Sequence, residues 1–229
     1  MQPYAFPYVG YFNLIHASTH FVFYDDVSYI KQGWINRNQI LVGGVPHVFT
    51  LPVRDGSYQH AIRDVALTKF EHFQKKFLRT LRQTYGGAMY FDQGMTFVSA
   101  VLTSGAETIS ELAQASISEA TALMDLQSRV YKSSESFADS LGMNRTDRLI
   151  SIANALDCQT YINPLGGAHL YQKSEFLEQG IELRFTEPQF NAYRQYKAPD
   201  FVPAMSIIDV LMNVSADEAR SLCQQHTVY

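Results

Sequence analysis

Residues 1–17 read MQPYAFPYVGYFNLIHA. Pro3 and Pro7 keep the chain extended as far as Tyr8, because a proline inside a helix loses a hydrogen bond and clashes with the preceding turn. Gly10 closes the turn. YFNLIHAS then gives one or two helical turns, with Phe12, Leu14 and Ile15 facing inward. A short extended piece, a Pro/Gly turn and a helix start aim backbone N–H groups and the positive helix end at an anion. The alternative is that these aromatics are packed core.

Working outward, HFVFY (20–24) is aromatic and β-branched and predicts a buried strand closed by Asp25-Asp26. NQILV (38–42), Gly43-Gly44 and HVFTLPV (47–53) predict a β-hairpin. IRDVAL (62–67) is a further candidate strand. Phe70, Phe73, Phe77 and Leu81 recur on one face of residues 69–85 and predict a helix; residues 106–125 predict a second. SRVY (128–131), CQTYI (158–162) and IELRF (181–185) read as strands, with an amphipathic helix over 144–156. SIIDVLMN (206–213) reads as a helix capped by Ser206, and SADEARSLCQQ (215–225) as a helix with the capping box Ser215…Glu218. Strands alternate with helices at both ends of the chain. The expected fold is therefore α/β, one domain over 1–229, with a parallel or mixed sheet, helices on both faces and a helical lobe over roughly 68–126.

Of the 229 residues, 46% are hydrophobic and 17% charged, which excludes a disordered chain. A net charge of −4 disfavours wholesale binding to nucleic acid. No apolar run reaches bilayer length and no secretory leader is legible, so the expectation is a cytoplasmic protein without membrane partners. Cys158 and Cys223 lack metal-site spacing and read as reduced thiols.

Several segments carry candidate chemistry. Two carboxylates at a strand's carboxyl end can hold Mg²⁺ or an amine, or act as a general base. Strand alternation predicts that only one of Asp25 and Asp26 reaches the site, with Asp25 preferred; an exposed acidic turn is the alternative. KQGWINRN (31–38) gathers Lys31, Trp34, Asn36, Arg37 and Asn38 in one short loop, a set that suits a carboxylate, a phosphate or a sugar. Ser133 and Ser134 form a hydroxyl-rich turn able to donate to phosphate or an oxyanion. YINPLGGAHLY (161–171) sets Gly166-Gly167 after a strand and before Tyr171, where a ligand can approach backbone closely. His16 and His20 stand four apart without a nearby acid, and no metal site is expected from them.

The turn F-P-Y-V-G-Y-F-x-L-I resembles that of the HIGH-type nucleotidylyltransferases and of pantothenate synthetase, P-x-H-x-G-H-x-x-L. Tyr8 and Tyr11 stand where those proteins have phosphate-contacting histidines, and a tyrosine carries no imidazolium charge.

Taken in order, MQPYAFPYVGYFNLI, FVFYDDVSYIKQGWINRNQI, LPV (51–53), SSESF, TDRLISIANAL, TYINPLGGAHLY, GIEL and FVPAMSIIDVLMN resemble the WbqC-like family of bacterial polysaccharide and natural-product gene clusters, over nearly the whole chain. The resemblance implies an enzyme that acylates or aminoacylates amino groups of small metabolites, including amino sugars. It implies a small-molecule acyl donor, or a charged tRNA or carrier, and an amine acceptor. ATP and Mg²⁺ stay open. Within these segments Asp25, Asp26 and Lys31 are the catalytic candidates. Gln2, Tyr8, Gly10, Tyr11, Tyr29, Trp34, Asn36, Arg37, Ser133, Ser134, Arg148, Asn163, Gly166, Gly167 and Tyr171 are the substrate-binding candidates. Rival readings are a non-catalytic ligand-binding or scaffold protein, and a nucleotidylyltransferase-like ATP-dependent ligase.

Overall fold

A computed structural model describes residues 1–229. Its hairpin follows directly from the turn chemistry. Strand β2 (Arg37–Val42) pairs antiparallel with β3 (Val45–Thr50). Gly43 and Gly44 turn the chain with φ of 61° and 82°, a region open to glycine and costly for other residues.

The remaining strands do not join one sheet, which corrects the expectation of a parallel or mixed sheet with helices on both faces. β1 (His20–Phe23) pairs parallel with β4 (Arg129–Lys132) alone. Its other edge is taken by Met1, whose nitrogen donates to the Val22 carbonyl at 2.7 Å and whose carbonyl accepts from Tyr24 N–H at 2.9 Å. β5 (Thr160–Pro164) pairs parallel with β6 (Glu182–Pro188), and β6 antiparallel with β7 (His226–Val228). The architecture is mixed α/β with three small sheets. IRDVAL is not a strand either. A 3-10 turn spans Ile62–Asp64, because the Ile62 and Arg63 N–H groups reach back to the carbonyls of Val27 and Asp25.

The helices are α1 (Val9–His16), α2 (Phe70–Tyr85), α3 (Phe91–Leu102), α4 (Ile109–Leu123), α5 (Ser133–Ser136), α6 (Arg145–Ala155), α7 (Lys173–Leu177), α8 (Ile207–Asn213) and α9 (Ala216–Cys223). None is long and apolar enough to cross a membrane. α2, α3 and α4 share one apolar core with α1, β1, the hairpin, α8 and α9. A second, smaller core gathers Leu149, Ile150 and Ala153 of α6, Phe176 of α7 and Leu183 and Phe185 of β6.

The opening segment threads between the hairpin and α8. Phe6 is fully buried and left-handed, with φ of 50°. That geometry costs a non-glycine residue on the order of 1–3 kcal/mol and persists only where neighbours fix it. Here Phe6 N–H donates to Ser116 Oγ at 2.9 Å. Its carbonyl accepts from Asn38 Nδ2 and Ser206 Oγ, both at 2.7 Å. Its ring meets Phe97 edge-on. Gly10 lies inside α1 rather than ending the turn. Within α8, buried Asp209 accepts hydrogen bonds from Tyr85 and Tyr193, both at 2.7 Å, and from Gln195, which ties α2 and the 193–195 strap to α8.

Candidate functional site

The chain leaves β1 at Phe23, so strand alternation no longer governs Asp25 and Asp26. Both carboxylates turn inward, and both are buried. Asp25 accepts from Ser134 N–H at 3.1 Å and from Ser134 Oγ at 2.8 Å. Ser133 Oγ lies 2.6 Å from Asp26 Oδ1 and 3.1 Å from Asp25 Oδ1, and its single proton serves the shorter contact. Arg148 Nη2 completes the group 2.6 Å from Asp26 Oδ2. Burial pushes the Asp26 carboxyl up, but hydrogen bonds from Arg148 and Ser133 outweigh it and hold it below the ordinary range. Asp26 is thus an ion-pair partner, poorly suited to accept a proton at neutral pH.

Beside this group lies a cavity of 1310 Å³ between the two cores. β1 lines one side and β5 the other; the opening segment and α6 complete the wall. Tyr4, Tyr8, Tyr24, Trp34, Tyr161, Tyr171 and Phe190 supply aromatic faces, and Gln2, Asn38, Gln39 and Asn163 supply amides. The lining holds no aspartate, glutamate or lysine. Its permanent charges are Arg145 and Arg148, three residues apart on one face of α6. Asp26 balances the charge of Arg148, so Arg145 carries the unbalanced positive charge of the lining, in a chain of net charge −4. Arg148 is rigid: Nε donates to Ser140 Oγ at 3.1 Å, and Cζ lies 4.6 Å from the centroid of the Tyr24 ring. Arg145 is exposed and forms no ion pair.

Of the sequence-derived candidates, Gln2, Tyr8, Trp34, Arg148, Asn163, Gly166, Gly167 and Tyr171 line the cavity. The others do not. Asp25, Asp26, Ser133 and Ser134 form the buried group behind it, where the two serine hydroxyls serve the aspartates rather than a phosphate. Tyr11 is buried and donates to the Gln2 carbonyl at 3.0 Å. Tyr29 donates to Asn36 Oδ1 at 2.8 Å, and Asn36 Nδ2 donates to the Leu51 carbonyl at 2.8 Å, so both brace the entry to the hairpin. Arg37 donates to the Gln32 carbonyl within its own loop, and Lys31 stands exposed. Gly10 makes room for the Tyr8 ring, which a Cβ there would strike. Gly167 likewise leaves space for the Asn163 side chain; beside Gly166 the space is open. His16 packs on His226 and His20 on Tyr131, so the two histidines do not converge.

Sequence reasoning missed Tyr24, Arg145, Tyr161 and the pairing of His20 with Cys158, whose Sγ lies 3.8 Å from His20 Nδ1 in the cavity wall. Arg145 was findable, since it shares the face of α6 with Arg148. The others come from segments far apart in the chain and carry no mutual spacing.

The WbqC-like protein family model matches residues 2–221. The chain is similar to the uncharacterized protein Rv1507c of Mycobacterium tuberculosis (strain ATCC 25618 / H37Rv), with 26% identity over 215 residues, covering 92% of this chain and 90% of that protein. No solved structure matches. With a family match over 2–221 of the 229 residues, the chain belongs to the WbqC-like protein family.

Proposed function

We propose that the protein binds an anionic small metabolite in this cavity and transfers an acyl or aminoacyl group to an amine, forming an amide in polysaccharide or natural-product biosynthesis. The observation that carries the reading is the lining: aromatic and amide walls suited to a sugar or similar ring, two arginines, and no carboxylate. Amide formation itself is supported by the family resemblance. The amine must lose a proton as it attacks the activated carbonyl. Asp26 is locked against Arg148, so His20, the imidazole of the lining, is the proposed proton acceptor. The donor is an activated acyl compound, a charged tRNA or a carrier; its bond to the acyl carbon breaks as the C–N bond forms, and the thiol, tRNA hydroxyl or other leaving group departs taking up a proton.

One observation favours a second reading, a non-catalytic ligand-binding protein: no carboxylate faces the cavity to serve as a base. The ATP-dependent ligase reading has less support. Tyr8 faces the cavity, but Tyr11 is committed to the core, and no lining carboxylate is available to Mg²⁺. The deciding experiment incubates the protein with acyl thioesters, charged tRNA, or ATP plus acids, against anionic amines including phosphorylated amino sugars. Mass spectrometry then reads the products. An amide that requires the protein and is lost in His20→Ala supports transfer. Tight binding without product from any donor supports the second reading.

A further inference from the structure

The lining restricts the class of anion, an inference that rests on reading the cavity as the substrate site. We propose that its α6 end is a phosphoryl subsite, in which Arg145, Arg148, Tyr24 and Tyr171 hold the phosphate or diphosphate of a phosphate ester whose remainder lies along the aromatic walls.

Four observations converge. Both guanidinium groups of the lining stand on one face of α6. Arg148 is held by Asp26 and Ser140, so its charge is balanced and its plane fixed over Tyr24. Arg145 has no carboxylate partner and is the unbalanced positive charge at this end. Tyr24 and Tyr171 line the same cavity, with the Arg148 guanidinium over the Tyr24 ring. Burial raises the pKa of both; Arg148, and more weakly Arg145, pull against it at Tyr24 and Arg145 does so at Tyr171, so both are protonated donors at neutral pH beside the arginines. Tyr161, flat against Phe176 at 5.5 Å, packs the wall beneath them, and Tyr171 meets the same Phe176 edge-on.

The number and kind of donors decide the class. A carboxylate offers two oxygens and is satisfied by one guanidinium fork. Arg145 with its unbalanced charge, the donors Arg148 keeps beyond Asp26 and Ser140, and two phenols offer more N–H and O–H groups than the two oxygens of a carboxylate use, and match the three or more oxygens of a phosphoryl group. The cavity also extends well past these residues to Trp34 and Phe190, so bare phosphate leaves most of it unfilled.

The test is calorimetric binding to the full chain at fixed ionic strength, with inorganic phosphate, pyrophosphate, a hexose 1-phosphate, uridine diphosphate and malonate as probes. Pyrophosphate should bind at least tenfold tighter than malonate, a dicarboxylate. The hexose phosphate or uridine diphosphate should bind at least tenfold tighter than phosphate, which separates an ester from the free anion. Arg145→Ala should weaken ester binding at least tenfold, Arg145→Lys should keep part of it, and Tyr171→Phe should lose severalfold. Arg145 is an exposed residue of the first helical turn, so its loss leaves the fold intact; unchanged melting confirms that. Equal affinity for malonate and pyrophosphate overturns the proposal. So does no gain from the ester, or unchanged ester binding in Arg145→Ala. These readouts need no turnover. If the esters bind as stated and no donor gives an amide, the transferase reading falls and the subsite stands.

Discussion

Asp26 and Arg148 carry a buried ion pair on which the cavity wall depends. Removing one member leaves the other charge buried and alone, which typically costs about 3–5 kcal/mol. Asp26→Asn is expected to lower stability by that order in denaturant melts, while Asp25→Asn, which faces serine donors, should lose less. The pair also sets a pH dependence. The Asp26 carboxyl is held below its ordinary value in the folded chain. Its stabilisation is therefore complete above the unfolded value of about 3.9 and is lost as pH falls through the folded one. A series of melts from neutral to acid pH should show a steep acid limb for the native chain and a flatter one for Asp26→Asn. A second test at this scale contrasts two glycines. Gly10→Ala pushes the Tyr8 ring toward the cavity and should weaken ligand binding, whereas Gly43→Ala has open space and only its positive φ to pay for, about 1 kcal/mol of stability. The sequence marked Asp25-Asp26 as unusual but not their direction, since alternation holds only while the strand continues and β1 ends two residues earlier.

At the scale of elements, local signals were legible wherever one chain segment decides its own geometry. The Gly43-Gly44 hairpin, the apolar stripe of α2 and the Ser206 cap of α8 are each legible from local sequence alone. The Ser215 box is half present: Ser215 Oγ accepts from Glu218 N–H at 3.1 Å without the reciprocal bond. The complete box, Thr108 with Glu111, went unread at the start of α4. α3 carries a glycine in its first turn, Gly94, where a Cβ would come within 2.5 Å of Met212 Sδ on α8. Helix packing, not helix propensity, explains that glycine. Ser206 joins two elements, accepting from Ile208 N–H and donating to the carbonyl of left-handed Phe6. Ser206→Ala therefore removes a cap and leaves a buried acceptor one donor short. It should cost about 2 kcal/mol, against about 1 kcal/mol for the exposed cap Ser215→Ala, compared by denaturant melts.

Across the whole molecule, what the sequence could not show is association. Each strand except the short β7 was foreseen near its place, yet the pairing into three small sheets depends on which edges are occupied, as Met1 occupies that of β1. The cavity is legible only in part for the same reason. Gln2, Tyr8, Trp34, Arg148, Asn163 and Tyr171 lie in recognisable segments, while the absence of carboxylates from the lining is a property of the assembled wall. That absence supports the central claim, that an anionic substrate binds here with its charged group toward α6. The most direct test is a crystal structure of the protein with the ester that binds it most tightly. The account predicts density in the cavity, with the charged group within hydrogen-bond reach of Arg145 and Arg148 and the rest of the ligand along Tyr8 and Trp34. A ligand seated elsewhere, or one whose charged group points away from α6, would contradict it.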